Sequence, residues 1–147
     1  MSSIRDLAKV QGCTMTIVVL AMLISGVASA QWEADYRLTT DNDTSFTSYN
    51  NAWCVAAYQD TVHVVWHDNR DGNFEIYYKR SEDGGMTWGS DERLTDESSS
   101  SYGPSVAVSG ENISLVWEDD RDMDTEVYYK RSTDGGATWG PDVHVTI

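Results

Sequence analysis

Short apolar and aromatic runs alternate with clusters of polar turn residues along most of the chain after residue 50. In one run, Val62, Val64 and Trp66 lie at every second position, which is the period of a β-strand. The residues between them are also largely apolar, so both faces of such a strand need to be covered. No stretch after residue 30 has the 3.6-residue period of an amphipathic helix. The pattern therefore predicts an all-β protein.

The second half of the chain repeats the first. Residues 62–95 match residues 113–146 without a gap, at an offset of 51 positions. The pattern predicts four strands in each copy, near residues 52–58, 62–67, 74–80 and 91–95, and near residues 104–108, 113–118, 126–131 and 142–146. Four antiparallel strands repeating about every 50 residues are typical of a β-propeller blade. We therefore predict two four-stranded blades, residues 52–95 and 103–146.

A nine-residue turn occurs once in each copy, as SEDGGMTWG and as STDGGATWG. We expect its aspartate to accept hydrogen bonds within the turn and its glycines to adopt backbone angles that other residues resist. The threonine adds a hydroxyl bond, and the tryptophan buries a large ring that fixes the turn to the blade. The predicted structural residues are Ser81, Asp83, Gly85, Thr87, Trp88, Ser132, Asp134, Gly136, Thr138 and Trp139.

These turns match S-x-D-x-G-x-T-W, the Asp-box of sialidases and related proteins with bacterial neuraminidase repeats. W-x-D-x-R-D and YYKRS stretches strengthen the match, and the sequence resembles this family over about residues 32–147. The resemblance implies a sialidase-like β-propeller in which the box joins the third and fourth strands of a blade. It also implies that the box lies away from the active site and has a structural role.

The segment WEADYRLT (32–39) resembles WGSDERLT (88–95), the end of a box and a fourth strand. We therefore predict an orphan outer strand at residues 34–39 and, with the two blades, an incomplete propeller over residues 31–147. The resemblance implies six blades for a complete sialidase. The chain is then a fragment of a longer propeller protein, a unit that assembles with its own copies, or a protein that stands with two blades.

The resemblance implies that catalysis needs three arginines around a substrate carboxylate, a tyrosine nucleophile with a glutamate, and an acid/base aspartate. Arg70 matches Arg121 and Arg80 matches Arg131 across the repeat, so we expect them to serve the blade. The F-R-I-P-like stretch that carries the first arginine of the family is missing. We expect a noncatalytic module that binds a glycan or a protein. The alternative is part of an exo-α-sialidase-like glycosidase whose catalytic residues lie in missing blades.

Two acidic turns, HDNRDGN (67–73) and EDDRDMD (118–124), follow the predicted second strands. Carboxylates are the ligands of calcium, which makes these turns a candidate cation site, although their spacing is not that of an EF-hand. The alternative, which we favour, is that the aspartates accept bonds from turn amides while the arginines pair with them. The candidate calcium ligands are Asp68, Asp71, Asp119, Asp122 and Asp124.

Other side chains admit a similar choice between a ligand and a packing role. The tyrosine pairs at 77–78 and 128–129 could stack on a sugar, but on third strands packing between blades is the simpler role. His63, His67 and His144 lack the spacing of a zinc site. The flanking sequence of Cys54 indicates a buried small hydrophobe.

Residues 1–30 have the pattern of a secretory signal. Arg5 and Lys9 precede an apolar stretch at residues 16–24, and Ala28 to Ala30 form a small-residue cleavage site. The alternative is a retained N-terminal anchor. We expect a secreted, cell-surface or periplasmic protein that does not insert into the membrane once the signal is cleaved.

The chain is strongly acidic, with 24 acidic and 10 basic residues and a formal net charge of −14. Such a surface repels nucleic acid and anionic lipid, so we exclude both as expected partners. The expected partners are a glycan or an extracellular protein, and further blades from self-assembly or missing sequence.

Overall fold

A computed structural model describes residues 34–48 and 53–146, and this part of the chain is all-β, with two antiparallel sheets and no helix. It therefore holds no helix of the length and apolarity that crossing a membrane requires. Both sheets belong to one unit, Arg37–Ile147, and residues 34–36 belong to a separate unit, Met1–Tyr36. The predicted signal segment, residues 1–30, lies outside the described residues.

The first sheet is built on one long central hairpin. Trp66 and Tyr77 face each other across it, as the alternation of apolar residues predicts. The third strand in the sequence pairs with the first, second and fourth, and the fifth pairs with the fourth. The strands are β1 (Ser45–Phe46), β2 (Val55–Tyr58), β3 (Thr61–Asp68), β4 (Glu75–Ser81) and β5 (Glu92–Arg93).

The second sheet repeats this arrangement in the order β6-β7-β8-β9. Trp117 lies opposite Tyr128, as Trp66 lies opposite Tyr77. The edge strand β9 has only two residues, like its counterpart β5. The strands are β6 (Ser101–Ser109), β7 (Asn112–Asp119), β8 (Glu126–Ser132) and β9 (Val143–His144).

The first strand of each sheet differs between the copies. In the second sheet, β6 pairs along the length of β7, with a register shift between Tyr102 and Ser105. In the first sheet, β1 and β2 share that role, pairing with the two ends of β3. Ser45 and Val55 are ten positions apart, whereas their structural counterparts in β6, Ser101 and Val106, are five apart. An insertion therefore interrupts the strand in the first copy.

The prediction of an outer strand at residues 34–39 is wrong, because these residues have no strand conformation. The matching strand, β5, exists because β4 offers it a ladder of backbone hydrogen bonds. No described strand precedes residues 34–39 to offer such a ladder. Instead, the backbone oxygen of Leu38 accepts a hydrogen bond from Lys79 Nζ at 2.8 Å.

One apolar core holds the two sheets together. Leu115 and Trp117 of β7 belong to one buried cluster with Val65 of β3 and Ile76 of β4. Burial of apolar surface drives this contact, because each sheet would otherwise expose an apolar face to water. The buried members of the core are Val65, Ile76, Tyr78, Leu94, Val106, Ile113, Leu115, Trp117 and Tyr128.

The opposite face of the first sheet has a smaller core. Val64, Trp66 and Tyr77 form a buried cluster, and Leu38 and Trp88 pack against it. The segment around Leu38 thus covers part of this face of the first sheet. The equivalent face of the second sheet is covered by the first sheet. With the Leu38 segment on one face and the second sheet on the other, every apolar residue of the β3–β4 hairpin is at least partly buried.

Leu115→Ala tests the core between the sheets. Leu115 is fully buried, so we expect the substitution to lower the free energy of unfolding by about 3 kcal/mol through the lost transfer energy and the cavity. Met123→Ala is the control, because Met123 is exposed, and we expect a change below about 0.5 kcal/mol. Urea unfolding measures both variants, and equal effects would contradict the described core.

Candidate functional site

Each nine-residue turn joins the last two strands of its sheet, β4 to β5 or β8 to β9, and is held by side-chain bonds to its own backbone. Asp83 accepts hydrogen bonds from Ser81 Oγ at 2.7 Å, from Thr87 N at 2.8 Å and from Thr87 Oγ1 at 2.6 Å. Ser81 Oγ also accepts a bond from Gly85 N at 2.8 Å. These bonds supply partners inside the turn for backbone groups that no strand pairs.

The second turn repeats the same bonds. Asp134 accepts from Ser132 Oγ at 2.7 Å, from Thr138 N at 2.9 Å and from Thr138 Oγ1 at 2.5 Å. In each turn the threonine hydroxyl, followed by its amide and the serine, lowers the pKa of the aspartate to about 2. Both aspartates are therefore ionised at neutral pH and serve as acceptors within the turn.

The second turn also lies against the first sheet. The ring of Trp139 contacts the ring of Tyr78 edge-on, with 5.1 Å between the centroids. A Cβ atom on Gly136 would lie 2.1 Å from the Tyr78 hydroxyl, so only glycine fits at this position. The turn therefore connects one sheet to the other as well as closing its own hairpin.

A second repeated cluster lies where the central hairpin of each sheet turns. Asp68 is buried and accepts bonds from Arg70 Nη2 at 2.8 Å, Arg70 N at 3.0 Å and Ser45 Oγ at 2.6 Å. Burial acts to raise the pKa of Asp68, but bonds from Arg70 and Ser45 outweigh it and hold that pKa at about 2. The Arg70 guanidinium lies 4.3 Å above the centre of the Tyr77 ring. The positive charge of Arg70 thus interacts with groups of its own sheet.

The same cluster occurs in the second sheet. Asp119 accepts from Arg121 Nη2 at 2.7 Å, from Trp117 Nε1 at 2.9 Å and from Ser101 Oγ at 2.9 Å. The Arg121 guanidinium lies 4.2 Å above the Tyr128 ring. These contacts account for the W-x-D-x-R pattern as a device that closes the hairpin.

The acidic turns do not gather their carboxylates at one point. Asp71 and Asp122 each accept a short hydrogen bond from the tyrosine hydroxyl of their own sheet, Tyr77 and Tyr128 respectively. The described residues contain no cluster of three or more side chains that could hold a metal ion. Asp124, the remaining candidate ligand, is exposed. Calcium binding stays a prediction.

The tyrosine pairs differ in their exposure. Tyr77, Tyr78 and Tyr128 are buried in the two cores, and Tyr129 is half-buried. Their contacts are those of packing residues, which is the simpler of the two roles weighed from the sequence. Cys54 is buried, in keeping with its apolar surroundings in the sequence.

An open cleft of about 470 Å³ separates the β2–β3 hairpin of the first sheet from the second turn. Tyr58, Arg80, Glu82, His63 and Glu111 contribute to its lining. Arg80 Nη1 donates to the backbone oxygen of Gly135 at 2.9 Å, which holds the guanidinium in the cleft. The cleft thus combines an aromatic ring with groups that donate and accept hydrogen bonds.

His63 and Tyr78 are a pair that the sequence analysis did not single out. His63 Nδ1 and the Tyr78 hydroxyl are 2.8 Å apart, and both side chains are almost fully buried. Burial, followed by the nearby charge of Arg80, lowers the pKa of His63. The only sequence signal was the replacement of His63 by Ser114 in the second copy, where Tyr129 is also less buried.

No family model and no curated protein matches the sequence.

Gly136→Ala tests the contact between the second turn and the first sheet. We expect it to lower the free energy of unfolding by about 3 kcal/mol, because the added methyl overlaps Tyr78 at a backbone angle that L-residues resist. Gly85→Ala is the matched control, with φ also positive and its nearest neighbour at 3.7 Å. It should cost about 1 kcal/mol, from backbone strain alone. Equal losses by urea unfolding would contradict the close approach of Tyr78.

The depressed pKa of Asp83 predicts a pH dependence of stability. The unfolded value is about 3.9, so the stabilisation is fully present above that pH and is lost as the pH falls through the folded value of about 2. The free energy of unfolding should fall less steeply below pH 4 in Asp83→Asn and in Thr87→Val than in the unmodified protein. Denaturant titrations at a series of pH values measure the slope, and unchanged slopes in both variants would contradict the prediction.

Proposed function

We propose that the chain holds two consecutive blades, residues 52–95 and 103–146, of an incomplete, sialidase-like β-propeller with Asp-box turns, in an exported protein. The chain is noncatalytic alone and binds a glycan or an extracellular protein. Further blades come from copies of the chain or from sequence beyond it.

The way in which the sheets pack supports the blade proposal. Each sheet has a tryptophan on the first strand of its central hairpin, β3 or β7, and Trp117 lies in one core cluster with residues of the sheet that precedes it in the sequence. Propeller blades pack face to face in this manner, each on its neighbour. The position of both Ser-x-Asp-x-Gly-x-Thr-Trp turns, between the last two strands of their sheets, supports the Asp-box assignment.

The cleft beside Arg80 is the observation that carries the binding proposal. Tyr58 is exposed and offers an aromatic ring on which a sugar can stack, and Glu82 and Glu111 are exposed carboxylates that can accept hydrogen bonds from sugar hydroxyls. The acidic surface slows the approach of an anion. A neutral glycan is therefore the ligand class that this cleft fits best.

The positions of the arginines support a noncatalytic role for this chain. Arg70 pairs with Asp68 and Asp91, and Arg121 pairs with Asp119 and Asp142. An arginine that carries a substrate carboxylate must keep its guanidinium edge available to that substrate. The enzyme alternative thus requires catalytic residues contributed by other blades.

A glycan array tests the binding proposal. We expect the protein without residues 1–30 to bind neutral glycans, and Tyr58→Ala and Glu111→Gln to weaken binding about tenfold through lost stacking and hydrogen bonding. Trp53→Ala is the control, because Trp53 is an exposed aromatic residue that does not line the cleft. Titration calorimetry on the best glycan gives the affinities.

Two outcomes would contradict the proposal. One is a protein that binds no glycan and no extracellular protein, and the other is binding that Tyr58→Ala leaves unchanged. Hydrolysis of a fluorogenic sialoside by the isolated chain would instead favour the enzyme alternative. N-terminal sequencing of the exported protein tests cleavage after Ala30.

A further inference from the structure

The surface of the second sheet that points away from the first sheet is open where the matching surface of the first sheet is closed. Val116 is 38% exposed and Val145 is 54% exposed, whereas their counterparts Val65 and Leu94 are 0% and 6% exposed. An apolar surface that is buried in one repeat and exposed in the other repeat of the same chain indicates a missing partner. We call this surface the far face, formed by Val116, Tyr129, Arg131 and Val145.

The first sheet leaves part of the complementary surface open, around Val55. Val55 is 58% exposed, whereas its counterpart Val106 is 2% exposed in the contact between the sheets. Gly136 is met by Tyr78, but at Gly85 only a side chain of its own turn lies within 4 Å. We call this surface the near face, formed by Val55, Val62, Gly84 and Gly85. One chain therefore presents exposed parts of both halves of the contact that it makes internally.

A docked copy would also repeat one hydrogen bond of the contact between the two sheets. Arg80 Nη1 donates to the backbone oxygen of Gly135 in the second turn. Arg131, its counterpart on the far face, is exposed and donates to Asn112 of its own sheet. Gly84 is the counterpart of Gly135 in the first turn. Docking would let Arg131 donate to the backbone oxygen of Gly84 in place of Asn112.

We propose that the far face of one copy docks on the near face of a second copy and repeats the contact between the two sheets. The occupant is a second copy because the chain itself carries both complementary surfaces. Such a contact is head-to-tail and propagates until a ring closes or a filament grows. The inference rests on the proposed self-assembly of blades, and it does not depend on the ligand of the cleft.

Leu38 occupies part of the place that a docked copy needs. Lys79 Nζ donates to the backbone oxygen of Leu38 at 2.8 Å, and Lys130 Nζ donates to that of Leu94 at 2.5 Å. Leu38 therefore lies where the fourth strand of a preceding sheet would end. In the docked pair, the backbone oxygen of Val145 of the incoming copy would meet Lys79, which already binds Leu38. Only one of the two segments, that of Leu38 or that of Val145, can therefore remain there.

The charges favour the segment that contains Leu38 over residues 144–146 as the outer strand beside Glu126 of the docked copy. In the first sheet, Arg93 lies 2.7 Å from the buried carboxylate of Glu75, whereas in the second sheet His144 lies 3.7 Å from Glu126. A histidine is charged only when protonated, and an arginine is always charged. Residues 37–39 (RLT) match residues 93–95 (RLT), so Arg37 of one copy would provide the permanent charge that Arg93 provides in the first sheet. We infer that residues 37–39 displace residues 144–146 of the docked copy.

Mixing two blocked variants tests the head-to-tail contact. Val116→Asp places a carboxylate on the far face and Val55→Asp places one on the near face; both positions are exposed, so each variant should fold. Each should assemble about 100-fold more weakly than the unmodified protein, because docking would bury an unpaired charge. An equimolar mixture should form a heterodimer, since one intact near face meets one intact far face. Light scattering after size exclusion gives the masses.

Met123→Asp is the control, because Met123 is exposed in a loop outside both faces, and it should assemble like the unmodified protein. His144→Arg should weaken assembly, because it strengthens the strand that must be displaced. Near-ultraviolet circular dichroism verifies that each variant is folded.

A monomeric unmodified protein at every concentration would overturn the inference, and it would indicate that another protein or further sequence covers the far face. Undiminished assembly of Val116→Asp would also overturn it, as would a mixture that yields only monomers. Glycan binding by a monomer would leave the binding proposal intact, so the two failures are distinguishable.

Discussion

The Tyr78 side chain lies against a backbone position where only glycine fits, and this contact determines how the second sheet sits on the first. Gly136 allows the approach, and the Trp139 ring covers Tyr78 from the side. The apolar core below them, around Val65 and Leu115, then excludes water. Without this contact each sheet would be a small four- or five-stranded unit with an apolar face in water, which is a marginal structure at this size.

Most of the chemically capable side chains are used to hold this arrangement. Asp68 and Asp119 bind the arginines of their own hairpins, and those guanidinium groups lie over tyrosine rings. Asp83 folds its carboxylate onto its own turn. A protein with this excess of negative charge can bury carboxylates only by pairing them or by bonding them to donors. The exposed groups around the cleft, such as Tyr58 and Glu111, are left for the proposed ligand.

The repeat made much of the fold predictable. The pairs Trp66–Tyr77 and Trp117–Tyr128 lie in register because alternating apolar residues fix which face of a strand is buried. The two turns were predictable for a related reason, since their aspartate, glycine and threonine residues act within a few residues of one another. Signals of this kind are local and survive in a single sequence.

Contacts between distant segments were not predictable. The segment at residues 34–39 resembles a fourth strand, but a strand forms only where a neighbour offers a ladder, and the sequence does not tell which neighbours are present. The pairing of His63 with Tyr78, and that of Lys79 with the backbone of Leu38, also depend on how segments meet in space. The cleft beside Arg80 arises from the same packing, so its residues carry no shared motif.

The most direct test of the account is a nuclear Overhauser measurement between the ring protons of Tyr78 and the α-protons of Gly136 in solution. If the sheets pack as described, a strong cross-peak connects the two residues, since the Tyr78 hydroxyl carbon lies 2.8 Å from the Cβ position of Gly136. A folded protein with both hairpins intact and no such cross-peak would contradict the account.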